Sequence, residues 1–331
     1  MRHRISYLSD FNLKKWLFIA LGLISFNALG QQDPGLSMFS LNSSHLNPAF
    51  SGWRQETSVQ MHIRNQWSGY ESTNDGGGNL GTQFLTASMP LGLFNTGIGF
   101  LYMSDKTPSG VGMQTVRLQL AHHYALGSGL ISTGIRVGMQ AKSFDGRVFR
   151  VRDTNDPLSL ELSGKMLSQS LPDFGFGMVY SKDSWNAGIS LDHLTSPVYT
   201  FSSNTASMPL AMVLSAHAGA EILVNTLFDF LPFGQIRYYS GKILPEMGAR
   251  MEYRDMFWIG GSYRLNDAAI GMVGVSLLNN RINLGYSMDY TLVNLDTKSL
   301  LSHEIFIKFN LPTFKLGLEA VPIKTPRFKI N

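Results

Sequence analysis

The chain contains no cysteine, which excludes disulfides, cysteine-ligated zinc and thiol catalysis. Charge is scarce as well. Asp, Glu, Lys and Arg together make up 15% of the residues, where an average soluble domain carries roughly 25%. Hydrophobic residues account for 44% of the 331, yet no stretch after residue 30 approaches the ~18 uninterrupted apolar residues of a spanning helix. An apolar chain without such a helix points to strands as its way through a membrane, because lipid tolerates only helices and closed barrels.

Residues 1–30 read as a secretory signal peptide. Arg2, Arg4, Lys14 and Lys15 form its positive end, Trp16 to Leu23 its apolar core, and Ala28-Leu29-Gly30 its cleavage site. Without a cysteine near the cut, a lipoprotein is excluded. Removing four of the 27 basic and one of the 23 acidic residues leaves 23 and 22, a net charge of +1 instead of +4. The basic character is therefore a targeting feature, and nucleic-acid binding, which needs a basic face, is not supported.

What the body does have is two-residue alternation, the mark of strands with unlike faces. Ile131, Thr133, Ile135, Val137 and Met139 alternate with Ser132, Gly134, Arg136, Gly138 and Gln140. The same holds around Met247–Tyr253 and Ile282–Met288. About fourteen such segments fall between residues 54 and 310, longer than the ~5–6 residues of a soluble strand and close to the ~9–11 that cross a tilted barrel wall. Aromatics sit near segment ends (Trp67, Tyr70, Tyr124, Tyr180, Trp185, Tyr238, Tyr239, Tyr253, Phe257, Trp258, Tyr290), as in interfacial girdles.

The linkers alternate in kind. Those over 68–79, 105–111, 144–172, 195–208 and 292–300 are long and polar, whereas 91–95, 127–129, 182–184, 225–227, 255 and 279–280 are short. The linkers 241–244 and 266–267 break this rule. Long loops outside and tight periplasmic turns are the expected asymmetry. The reading is all-β: a transmembrane antiparallel barrel of about fourteen strands, with both termini in the periplasm. Its divisions are a signal peptide (1–30), a plug-like lead-in (31–53), the barrel (54–310) and a basic periplasmic tail (311–331).

Chemistry is thin. The adjacent pair His122 and His123, and His193, His217 and His303, fall on four different segments, with no motif that places a catalytic serine or acid beside them. His122 and His123 point to opposite faces and do not chelate one metal. Asp153, Asn155 and Asp156 lack the glycine and glutamate of a calcium loop. No catalytic, cofactor or metal residue is assigned. Lumenal charge is the stronger feature: Arg64, Arg117, Arg136, Arg250, Arg254, Arg264 and Lys308 lie on the polar phase with Asp192, Glu221, Glu252, Asp289 and Glu304. Mixed signs fit pairing that closes the pore; an arginine-lined channel is the alternative.

The stretch from Gln31 to Trp67 carries the most specific pattern. It runs Gln31-Gln32-Asp33-Pro34, Met38-Phe39, Leu46-Asn47-Pro48-Ala49-Phe50-Ser51-Gly52, then Arg64-Asn65-Gln66-Trp67. Gly97-Ile98-Gly99-Phe100 and Ser302-His303-Glu304-Ile305 extend it. This resembles the PorP/SprF family of type IX secretion and gliding-motility outer-membrane proteins. The resemblance implies a non-enzymatic component of that machinery, without cofactor. Its partners would be outer-membrane lipid, an adhesin-like exported surface protein met through the extracellular loops, and a periplasmic ring or peptidoglycan-associated protein. The tail with Lys315, Lys324, Arg327 and Lys329, and the 144–172 loop, depart from the family pattern. A passive porin-like or hydrophobic-solute transporter is the runner-up. Pro48 has no N–H to donate to a ladder and Gly52 permits a positive φ, so residues 36–52 are expected to be an irregular segment packed against or into the barrel.

Overall fold

A computed structural model describes residues 33–69, 80–92, 95–107, 110–148, 164–201, 207–295 and 298–312. The signal peptide, Gln31 and Gln32, Tyr70, the Asp153–Asp156 segment and nearly all of the tail lie outside the described residues. The strands are β1 (Thr57–Gln66), β2 (Leu80–Pro90), β3 (Thr96–Lys106), β4 (Val111–Leu126), β5 (Gly129–Asp145) and β6 (Met166–Lys182). They continue with β7 (Trp185–Asp192), β8 (Val198–Thr200), β9 (Ser207–Pro209), β10 (Val213–Ala220), β11 (Ile222–Leu223) and β12 (Phe228–Tyr239). The last five are β13 (Lys242–Tyr253), β14 (Phe257–Arg264), β15 (Ala268–Leu277), β16 (Ile282–Thr291) and β17 (Leu301–Leu311).

All neighbours pair antiparallel, and the sheet closes on itself through β1 with β17 and β10 with β12. The wall is a closed barrel of 14 strands. The two-residue β11 continues the line of β10 along β12, and β8 and β9 form a separate hairpin. Thr57 lies opposite Leu311, so the first and last strands begin and end at the same rim, the rim of the short turns. Residues with positive φ cluster in those turns, among them Asn95, Gly127, Asp183, Asp255, Asn279 and Asn280. Asn, Asp and Gly tolerate the left-handed region that tight turns require.

The burial pattern is the reverse of a soluble protein's. On β5, Ser132, Arg136 and Gln140 are buried, while Ile135 is 49% exposed and Val137 and Met139 nearly as much. An outer apolar band follows. It runs on β4 from Tyr124 to Val116, on β5 from Ile131 to Met139, and on β6 from Tyr180 to Phe174. Beyond it the outward rows turn polar or small: Gln114 beside Ala141 beside Ser170, then Gly112 beside Ser143 beside Ser168. Those rows mark where the wall leaves the hydrocarbon on the long-loop side.

Several expectations need correction. Both ends of the 144–172 loop are strand: β5 reaches Asp145, β6 starts at Met166, and the two pair from there on. Apolar alternation ends at the edge of the band, but the ladder continues above it, so the hydrophobic pattern hid these residues. The 195–208 linker holds the β8–β9 hairpin. Trp258 and Tyr239 face inward instead of joining the girdle, because they fall on the lumenal phase of β14 and β12. Arg254 sits exposed in the turn after β13 with φ 51 and is not lumenal, whereas Glu221, just past the end of β10, stays at the lumen mouth and pairs with Arg54 of the lead-in at 3.4 Å. The first strand starts at Thr57 and not at 54, because Trp53–Gln55 form a tight turn with left-handed Arg54 and Gln55.

The band fixes a depth scale. Leu120, Ile135 and Phe176 share its middle row. Ile135→Arg is expected to destabilise the barrel by about 2–4 kcal/mol and Ser143→Arg by about 0–1 kcal/mol. Urea titration of protein refolded into lipid vesicles measures both.

Candidate functional site

The lead-in, residues 33–56, occupies the lumen. Its shape is set locally. Asn42 caps the helical turn Ser43–Leu46 by accepting from His45 N at 3.2 Å, and Asn47 caps Pro48–Phe50 by accepting from Ala49 N at 3.0 Å. Asn47 is extended, as a residue before proline prefers, and Gly52 takes φ 68. These turns project Leu36, Met38, Phe39, Ala49 and Phe50 into buried positions.

The wall meets them with its few inward apolar side chains. Leu36 and Phe39 pack with Phe84, Leu101, Met103 and Met113 of β2–β4. Met38 packs with Trp258, Ile270, Met272 and Phe306 of β14, β15 and β17. Phe39 also meets Phe233 of β12 edge to face, with ring centroids 5.4 Å apart. In the order of the wall, β12 lies six strands from β3, so Phe39 bridges two distant parts of the wall.

Three polar anchors complete the seat. At the first, the buried Glu304 carboxylate accepts from Ser37 N at 2.6 Å, Met38 N at 3.3 Å and His62 Nδ1 at 2.9 Å. Arg64 stands 3.6 Å from Glu304, donates to Asp289 at 2.8 Å and reaches Ser37 Oγ. At the second, Asn47 Nδ2 donates to Ile189 O at 2.8 Å and to His217 Nε2 at 3.1 Å. His123 donates to Ser51 O at 3.1 Å, and Gly52 N donates to Ser88 Oγ at 2.8 Å. This stretch lies in a groove where the wall has no side chains. A Cβ on Gly134 of β5 would stand 2.5 Å from Ala49 N, and one on Gly97 of β3 would stand 2.6 Å from Gly52 Cα.

The third anchor holds the other end of the lead-in. Asp33 accepts from His193 Nε2 at 3.0 Å, and His193 Nδ1 donates to Asp173 at 2.8 Å. Arg117 binds Asp173 at 2.6 Å, and Arg136 pairs with Asp192 at 3.0 Å and donates to His45 O at 3.2 Å. Burial alone would raise the Asp33 carboxyl, but His193 and Arg117 hold it well below the usual carboxylate range. Burial opposes charge on His193 in the loop after β7, yet its two carboxylate neighbours push it up to about 9. Burial and the nearby Arg136 bring His45 down to about 3, so it is neutral.

The remaining residues singled out above fall elsewhere. Arg264 pairs with Glu246 at 2.9 Å and lies 3.6 Å from Asp289. Arg250 lies over the Trp258 ring at 5.4 Å, and Glu252 is half-buried near the short-turn rim. Asn65, Gln66 and Trp67 end β1 beside β17 and β2, where Trp67 N donates to Ser302 Oγ at 3.0 Å. Sequence reasoning missed Asp33, Ser37, Asn42, His62 and Asp173, and set Glu246 on the polar phase of its strand without a partner. The inward phase of β1 could have found His62; nothing in an irregular segment marks Asp33. Among the described residues no group of three or more His, Cys, Asp or Glu is arranged to hold a metal ion.

Two tests follow from this seat. Gly134→Val should unseat the lead-in and expose Phe39 and Phe50 to chymotrypsin, whereas Gly271→Val, which meets open space, should not. The pH dependence has a definite sign. His193 is raised to about 9 from an ordinary 6.5, so its contribution is full below pH 6.5 and is lost as pH rises through 9. The urea midpoint is expected to step down between pH 7 and 10, and His193→Gln to abolish that step.

Comparison with known proteins places the chain. No curated protein matches it. Among solved structures it is similar to the Ralstonia pickettii toluene transporter TbuX, at 11% identity and TM-score 0.47 over 82% of this chain and 93% of that one. It is also similar to the CymD monoaromatic hydrocarbon channel, at 10% identity and TM-score 0.48 over 81% and 91%. A Pseudomonas aeruginosa FadL homologue gives 12% identity and TM-score 0.43 over 80% and 91%. Values this low carry nothing about cargo. A family model described as type IX secretion system membrane protein PorP/SprF matches residues 28–309. With its closed wall, apolar outer band and that match, the chain is an outer-membrane barrel that belongs to the PorP/SprF family of type IX secretion system membrane proteins.

Proposed function

We propose that this protein is a plugged, non-enzymatic barrel that works on its surface-facing rim, where it helps export one surface protein or holds it in place. The observation that carries this reading is the seated lead-in, which runs through the lumen from Asp33 to Glu56, anchored to the wall by Glu304, Asn47 and Asp33, and makes the rims the working surfaces. A passive transporter would need that segment to leave its seat. On the long-loop side, β4, β5 and β6 rise above the apolar band, and the β8–β9 hairpin folds against their inner face. Tyr199 donates to Gln140 O at 2.9 Å, Lys142 lies 5.2 Å over the Tyr199 ring, and Thr200 N donates to Gln169 Oε1 at 2.7 Å. A rigid frame of this kind suits loop-borne recognition.

On this reading residues 1–30 are removed on export. The tail after Leu311 starts at the short-turn rim beside Thr57 and ties the barrel to a periplasmic ring or peptidoglycan-associated protein. Prolines at 312, 322 and 326 keep it from forming a long helix, and an extended segment suits docking on a partner.

Deleting residues 149–163 leaves β5 and β6 intact. It is expected to spare membrane insertion and to remove the exported partner from the cell surface, as read by protease shaving of intact cells. Unchanged display would place recognition elsewhere. Truncation after Pro312, which keeps all of β17, is expected to spare insertion and to weaken co-purification of periplasmic partners.

A further inference from the structure

We infer that the upper edge of β6, Met166–Leu171, is a docking edge on which an extended segment of the exported protein adds as one more strand. This deepens the proposed function and rests on it.

The backbone geometry carries the argument. On the β5 side these residues are fully laddered, from Asp145 opposite Met166 to Gln140 opposite Leu171. On the other side β7 covers β6 only from Phe176 to Lys182. Just above that, Phe174 O accepts from Leu194 N at 3.0 Å, and Pro172 O accepts from Thr195 Oγ1 at 3.3 Å. Even-numbered residues of β6 therefore turn their backbone groups away from β5. For Met166, Ser168 and Ser170, no described residue meets those groups, and all three are exposed.

Edges of this kind are usually guarded by charge, proline or a bulge. Met-Leu-Ser-Gln-Ser-Leu holds no charge and no proline; Lys165 and Pro172 stand only at its ends. It lies above the apolar band, so lipid does not cover it. The β8–β9 hairpin touches it from inside through the Gln169 side chain, and none of the hairpin's described residues pairs with the edge.

The occupant is an extended polypeptide arriving from outside. It would present apolar side chains toward the half-buried Leu167 and Leu171, and small or polar ones beside Ser168 and Ser170. Strand addition of this sort takes its affinity from main-chain hydrogen bonds and its specificity from alternate side chains. A second copy does not fit. Barrel strands tilt by ~35–45°, so two such edges related by rotation about the membrane normal cross at roughly 70–90° and cannot run side by side.

The probe is the surface protein that disappears from intact cells when the gene is deleted. Cells are complemented with wild type, with the double variant Ser168→Pro and Ser170→Pro, or with Gln169→Pro. The double variant removes donors only on the open side, so the barrel should reach wild-type abundance while display of the probe falls at least tenfold. Gln169→Pro breaks the β5 ladder and should lower barrel abundance itself. A benzophenone side chain introduced at Ser170 should crosslink to the probe on intact cells, and one at Ile135 should not. Normal display with the double variant, or no crosslink from Ser170, overturns the docking edge. If gene deletion removes no surface protein, the proposed function itself is wrong, and the edge falls with it.

Discussion

Closing the barrel sets Arg64 of β1 directly opposite Glu304 of β17, both inside the lumen and both buried. A charge there has no water to fall back on, and removing one partner of a buried pair typically costs about 3–5 kcal/mol. The wall alone does not complete this pair. Two of the hydrogen bonds to Glu304 come from the backbone of Ser37 and Met38, and Arg64 reaches both Ser37 and Asp289. The seam that closes the sheet and the seat that holds the lead-in are therefore one structure. The network continues from Asp289 to Arg264, Glu246 and Asp267, tying β13, β14 and β16 to the same point.

The rest of the interior follows from having to accommodate that segment. Where the lead-in shows apolar side chains, the wall answers with Phe84, Leu101, Trp258 and Phe306; where its backbone passes close, the wall has Gly97 and Gly134. Where it carries an acid, Asp33, the barrel supplies His193 and Arg117. Lipid imposes the complementary demand outside, and the apolar band stops at the row of Val116 and Met139. Above that row the strands are free of lipid and continue as a polar frame, and the proposed work of the protein is assigned to this frame.

Much of this architecture was legible in the sequence because a barrel wall leaves a two-residue record. Ile135 and Arg136 were separated correctly by phase alone, and the turn residues at 127, 183 and 279–280 announced the tight rim. The record stops where its cause stops. Beyond the lipid, nothing forces the outward phase to be apolar, so Phe144–Asp145 and Met166–Pro172 read as loop. The phase count also fails to tell an interfacial aromatic from an inward one, which is why Trp258 and Tyr239 were misplaced. The wall charges Arg64, Arg136 and Glu304 were visible on their strands, but their partner was not. Asp33, Ser37 and Asn42 sit in irregular backbone, where no period relates a residue to the direction it faces. The repeated small residues at 97, 99 and 134 carried a signal that is plain only once the segment beside them is known.

The central claim is that the lead-in seals the barrel. Single-channel recording in planar bilayers tests it most directly, with the purified protein set beside a variant lacking residues 34–51. The intact protein should give no steady current, and the variant should open a large, persistent pore. Steady porin-sized conductance from the intact protein would contradict the account.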